Sequence, residues 1–139
     1  MSTHRTTILR IETQGPSLNE FTGKAVAWVA DSGVSTGLLT LFIRHTSASL
    51  LIQENAAPEV QDDLLDHFDR LAPEGPHYAH DSEGPDDMPA HLKAAMTQTH
   101  LAIPVIEGQL ALGTWQGIYL FEHRRRPHHR EVAMHLAGA

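Results

Sequence analysis

The chain contains no cysteine. That absence excludes disulfide scaffolds, thiolate zinc sites, iron–sulfur clusters and thiol nucleophiles together. Long apolar runs are missing too; none approaches the roughly 18–20 residues of a membrane span. Positive charge is scarce. Lys and Arg total 10 against 17 Asp and Glu, a formal charge of −7 with histidine neutral. Phosphate contacts need clustered cations, so nucleic acid is not an expected partner. A membrane is not expected either. Met1-Ser2-Thr3-His4-Arg5 leads into alternating residues and not into the apolar centre of a signal peptide. The expectation is a soluble, cytoplasmic protein. With 139 residues, 41% hydrophobic and 19% charged, the composition is globular and fits a single domain over 1–139. Histidine is what stands out, at 11 residues. It titrates near neutral pH and is the commonest metal ligand.

Thr6 to Glu12 alternates, with Thr7, Leu9 and Ile11 on one face, and predicts a half-buried strand. Leu18, Phe21, Ala25, Trp28 and Val29 recur at helical spacing before Gly33 and predict a helix, although Ala25–Val29 also suits a strand. Leu38–Ile43 is almost continuously apolar and predicts a strand buried on both faces. Leu50–Gln53 resumes the strand pattern. Pro58 starts a helix with Val60, Leu64, Phe68 and Leu71 as its buried stripe. Residues 73–89 form a loop with four prolines and three acidic clusters. Loops of that length in compact domains are usually functional or disordered. Pro89–Thr99 suits a short helix. Glu107-Gly108, between Leu101–Ile106 and Gln109–Leu112, is a two-residue hairpin signal. Ile118–Glu122 and Glu131–Leu136 are the last strands, joined by the basic segment Arg124–Arg130. Six or seven strands and three helices, clustered in sequence, predict an α+β domain with a mainly antiparallel sheet system.

Five constellations could carry chemistry. His45-Thr46-Ser47-Ala48-Ser49 follows a buried strand, so His45 is a ligand or base, or else a satisfied core histidine. His80 and His91, near Asp81, Asp86 and Asp87, could join His45 on one divalent cation. Neutral imidazoles suit zinc, and three protein ligands leave a position for substrate. The acids would then orient the imidazoles. The plainer alternative is a solvated acidic loop. Glu54-Asn55 with Asp62 and Asp63 could complete a polar pocket or serve as helix caps. Gly113-Thr114-Trp115-Gln116-Gly117 offers close backbone approach, hydrogen bonds and a flat stacking wall, or is a β-bulge. Arg124 or Arg130 could reach back to a bound anion.

These blocks occur together in one order. His45-Thr46-Ser47-Ala48-Ser49, Glu54-Asn55, Asp63-Leu64, Asp86-Asp87-Met88-Pro89-Ala90-His91-Leu92-Lys93, Ile103-Pro104-Val105 and Leu112-Gly113-Thr114-Trp115-Gln116-Gly117 resemble the YjbQ family over nearly the whole chain. After Glu122 the family often continues Asp-Gly-Pro-Arg, where this chain has His123-Arg124-Arg125-Arg126-Pro127. The resemblance implies β-sheets packed as a sandwich, a homotrimer, and a pocket near a subunit interface. It implies metal ligands at His45, His80 and His91. It implies pocket roles for Glu54, Asn55, Asp63 and Gln116. The activity attached to the family is secondary thiamine-phosphate synthesis, joining a hydroxymethylpyrimidine diphosphate to a thiazole phosphate with release of pyrophosphate.

The expected function is therefore a small-molecule enzyme acting on a phosphorylated or heterocyclic substrate, with a divalent cation, zinc or else magnesium or manganese. Catalytic roles fall to His45, Glu54 and Asp63. Substrate binding falls to Asn55, Thr114, Trp115, Gln116 and Arg124. Two alternatives are a metal-dependent phosphoester hydrolase with Asp63 or Glu54 as base, and a binding module without turnover.

Overall fold

The structure is a computed structural model that describes residues 2–139. The element order is β1 (Thr3–Thr13), β2 (Ser17–Glu20), α1 (Thr22–Ser32), β3 (Gly37–Ile43), β4 (Ala48–Glu54), α2 (Pro58–Leu71), α3 (Asp87–Met96), β5 (His100–Ile106), β6 (Gln109–Leu110), β7 (Gln116–Glu122) and β8 (His128–Gly138). The strands form two antiparallel sheets, β1-β8-β3-β5-β6 and β2-β7-β4.

Register explains which side chains meet. Leu41 pairs with both Leu101 and Met134, and Ile43 with Val132, so these residues share one face of the large sheet. That face contributes Leu39, Leu41, Ile43, Ile103, Val105, Val132, Met134 and Leu136 to the core. The small sheet contributes Ala48, Leu50, Ile118 and Leu120, and α1 adds Ala25 and Val29. Burying each large aliphatic side chain stabilises the fold by roughly 1.5–3 kcal/mol. The expected α+β sandwich is thus observed.

Strand β7 is buried on both faces. Ile118 and Leu120 face the core, and Phe121 meets Phe68 of α2 edge to face at 5.4 Å. The Glu107-Gly108 turn has positive φ at both residues, 51° and 79°, as a tight hairpin requires.

Four expectations need correction. Ser17–Glu20 is a strand, because it pairs with Tyr119–Glu122; the helix begins only at Thr22. Strand β3 is buried on one face only. Leu38 and Phe42 are exposed because none of the described residues covers the outer face of the large sheet, where Ile8 and Ile106 are also exposed. The α2 stripe is not fully buried: Val60, Leu64 and Phe68 are half-buried and Leu71 is exposed. The strand after the hairpin ends at Leu110.

Candidate metal centre

One end of the sandwich gathers the segment 44–47, the start of α3, the end of β7 and the start of β8. A buried ion pair frames this end. Glu122 is 0% exposed and accepts from Arg130 Nε (2.7 Å) and Nη2 (2.5 Å), and from Thr13 Oγ1 (2.6 Å). Backbone N–H groups of His123 and Arg124 complete its shell at 3.0 and 3.1 Å. Burial alone would raise the Glu122 pKa; the Arg130 guanidinium, Thr13 and the backbone donors overcome it and hold the carboxyl below its ordinary value. Arg130 Nη2 also donates to the carbonyl and hydroxyl of Ser47. The polar segment after β3 is therefore satisfied from β8.

Asp87, at the start of α3, is the centre of the site. It is buried, and its Oδ1 accepts from Arg124 Nη1 at 2.6 Å. Its Oδ2 is approached by His80 Nε2 at 2.7 Å and His91 Nε2 at 3.2 Å. Burial would raise the Asp87 pKa, but the His80 hydrogen bond and the His91 and Arg124 charges keep it low. Donating this hydrogen bond to Asp87 raises the His80 pKa above its ordinary value. His91 Nδ1 lies 2.9 Å from the Thr46 carbonyl and must donate to it. In the neutral ring Nε2 then carries the lone pair, and it faces a carboxylate oxygen. A proton or a cation between them removes that repulsion. Donor atoms of His80, Asp87 and His91 all lie within 4.8 Å of one another, which fits one metal ion. Anchoring of a ligand imidazole by a backbone carbonyl is a common feature of such sites.

The other expected ligand lies apart from this group. His45 Nε2 accepts the Glu131 N–H at 2.8 Å, so its proton sits on Nδ1 beside Arg130. Burial first, and the Arg130 charge second, lower its pKa and hold it neutral. It still lines, with His91, Thr46 and Thr99, a cavity of about 280 Å³. Arg124, expected on a substrate anion, is spent on Asp86, Asp87 and the Glu83 carbonyl. Asp81 is exposed and Asp63 is exposed on α2.

The remaining expected residues cluster elsewhere. Glu54 pairs with Gln116 across β4 and β7, and Asn55 N–H donates to the Trp115 carbonyl. Gln116 Oε1 accepts from the Gly113 N–H, and Thr114 and Trp115 are exposed. Glu54 Oε2 accepts from the Ala57 N–H just before α2. This group sits at the opposite end of β7 from Glu122. Six residues of strand separate the ends by about 20 Å.

Sequence reasoning assigned Asp87 to orientation, whereas it stands within the donor group itself. The available signal was its spacing: Asp87 and His91 are four apart on a helix and share a face. Glu122, Thr13, Lys93 and His123 were missed because a burial pattern does not reveal the partner of a polar side chain.

Comparison with known proteins agrees with this arrangement of motifs. The profile of the family described as UPF0047 protein YjbQ-like matches residues 7–139. A UPF0047 protein of Synechocystis, sll1880, is 58% identical over 132 residues, 94% of this chain and 90% of that protein. The YjbQ protein of Salmonella typhimurium is 48% identical over 76% of each chain. Among solved structures, the hypothetical protein APE1520 of Aeropyrum pernix superimposes with a TM-score of 0.88 at 28% identity, covering 97% of this chain and 99% of that one. No helix among the described residues is long and apolar enough to cross a membrane. By sequence and by fold, this chain belongs to the UPF0047 (YjbQ-like) family.

Proposed function

We propose that the protein is a metal-dependent small-molecule enzyme in which His80, Asp87 and His91 hold a divalent cation. The observation that carries this reading is the convergence of two imidazole nitrogens on Asp87 Oδ2, with His91 fixed from behind by Thr46. Two imidazoles and a carboxylate suit zinc and leave positions for substrate. When bound, the cation neutralises a diphosphate or phosphate group. Arg124 balances the other Asp87 oxygen and fixes the carboxylate's orientation. His45 and Thr46 border the adjoining cavity.

The substrate class is phosphorylated or heterocyclic, and thiamine-phosphate synthesis is the reaction the family resemblance suggests. In that reaction the carbon–oxygen bond to the diphosphate breaks and the thiazole nitrogen forms the new bond to that carbon. Such a nitrogen is already nucleophilic, so positioning and charge neutralisation suffice.

The working unit of this reading is a homotrimer. Glu54, Asn55, Trp115 and Gln116 stand too far from the metal centre to join it within one chain. A second copy brings such a group to the site. The exposed Ile8 and Phe42, which line an apolar cleft of about 220 Å³, and the exposed Leu38 of the same strand as Phe42 provide a surface for that contact.

The test is turnover of the pyrimidine diphosphate with the thiazole phosphate, with zinc present, for wild type, His80→Ala and Asp87→Asn. The reading expects activity lost in both variants. Activity equal to wild type in both rejects the site. Hydrolysis of a phosphoester panel, in place of coupling, would keep the metal centre and reassign the reaction.

A further inference from the structure

A second cavity, of about 290 Å³, lies between the end of α2, α3 and the segment after β7. Its polar wall consists of Asp69, Glu74, Asp86, Lys93, His123 and Arg125. None of its donors belongs to the His80–Asp87–His91 group. We propose that this cavity binds a compact oxyanion, with inorganic phosphate as its simplest form, between Lys93, His123 and Arg125.

Every carboxylate of the wall faces a cation, that of Asp86 being Arg124 from outside the cavity lining, but the hydrogen bonds do not all close. Lys93 faces Asp69, Arg125 faces Glu74, and Arg124 faces Asp86. Lys93 is only 8% exposed, yet its ammonium carries three donors and spends one, on Asp69 Oδ1 at 2.5 Å. Asp69 itself is largely exposed, so it is a replaceable partner. His123 is 3% exposed. Its Nε2 lies 2.9 Å from Ser49 Oγ, while Nδ1 has no partner among the described residues. Thr97 Oγ1 lies 2.6 Å from Ser49 Oγ and 2.9 Å from the Lys93 carbonyl, so its one hydroxyl proton serves one or the other. Ser49 Oγ and His123 Nε2 share one proton, and the other ring nitrogen, Nδ1, meets a phosphate either as donor to an oxygen or as acceptor from a P–OH group. Burial, assisted by the Lys93 charge, lowers the His123 pKa to about 3 and keeps the ring neutral.

Two Lys93 donors and His123 Nδ1 are not spent on described protein groups. Leaving a buried polar atom such as Nδ1 unpaired is costly, and a phosphate, which carries both acceptor oxygens and a hydroxyl, relieves it. Asp69 and Glu74 show the contact such a ligand makes, since each already places a carboxylate against one of the cations. A phosphate has enough oxygens to meet Lys93, His123 and Arg125 at once.

The probe is inorganic phosphate, titrated calorimetrically into wild type, Asp69→Asn, Arg125→Ala and His91→Ala. Both Asp69→Asn and Arg125→Ala alter exposed side chains, so folding is retained. Removing the competing carboxylate in Asp69→Asn is expected to tighten binding, by about tenfold if the Asp69 contact equals one charge-assisted hydrogen bond. Arg125→Ala is expected to weaken it by a similar factor. The ring nitrogen resonances of His123 should shift on saturation. Absence of saturable binding overturns the proposal. So does phosphate binding indifferent to both Asp69→Asn and Arg125→Ala. Loss in His91→Ala alone would place the anion at the metal centre and would also overturn it.

Discussion

Arg130→Met separates the two partners of the buried ion pair. Wild-type Arg130 gives Glu122 two hydrogen bonds, of 2.7 and 2.5 Å, and gives Ser47 two more, of 3.2 and 3.0 Å. The variant leaves a fully buried carboxylate with only Thr13 and two backbone donors. Removing one partner of a buried pair costs about 3–5 kcal/mol, because the other charge stays behind. Domains are stable by only about 5–15 kcal/mol, so the loss is a large share. Urea denaturation at neutral pH would measure it directly. The pH dependence gives a second check. Glu122 has a lowered pKa in the fold, so its contribution is present above the ordinary carboxylate pKa and is lost as pH falls through the folded value. In Arg130→Met, burial dominates and raises the pKa, so Glu122 takes up a proton and the charge penalty disappears. The gap between variant and wild type should therefore narrow between neutral pH and a pH of about 4.5. A cost below about 1 kcal/mol at neutral pH would refute the reasoning, as would a gap that stays constant or widens on acidification.

Gly138→Ala should destabilise by about 1–3 kcal/mol in urea, because no small side chain fits there. A Cβ would lie 2.3 Å from the Thr36 carbonyl and 2.7 Å from the Gly37 Cα; a wild-type midpoint would show that these strands part easily. His80 in metal-free protein should titrate above 6.5 by NMR, and Asp87→Asn should bring it back towards that value. The stabilisation from this contact is present below the ordinary histidine pKa and fades as pH rises through the raised one; an unmoved midpoint in Asp87→Asn would exclude Asp87 as the cause. Phe42→Asp puts a charge on the uncovered sheet face. The proposed assembly predicts a trimer for wild type and a folded monomer for the variant by sedimentation velocity; an unchanged trimer would place the contact on another surface, and a monomeric wild type would reject the assembly.

The fold was largely legible because its strands and helices keep their periods. Leu39, Leu41 and Ile43 alternate inward, and the Glu107-Gly108 turn carries its own conformational signature. Leu18 and Phe21 were misassigned because helical spacing over four residues also fits a short strand. Pairing with β7, a non-local contact, decided between them. Leu38 and Phe42 misled for a related reason: an apolar run does not say whether the same chain covers both of its faces. The histidines were legible as a composition. Their grouping was only partly so. His80 and His91 meet at Asp87 because α3 holds Asp87 and His91 one turn apart, while His45 is taken up by the backbone of Glu131. Nothing local announces that last contact, since it spans 86 residues.

The proposed function depends on a cation bound by His80, Asp87 and His91. Its most direct test is the metal content of tag-free protein by plasma mass spectrometry, after incubation with zinc and removal of excess. Wild type, His80→Ala and Asp87→Asn would be compared with His129→Ala, which alters an exposed histidine outside the group. The account predicts one zinc per chain in wild type and His129→Ala, and loss in the other two. Zinc absent from wild type, or retained in full by Asp87→Asn and His80→Ala, would contradict it.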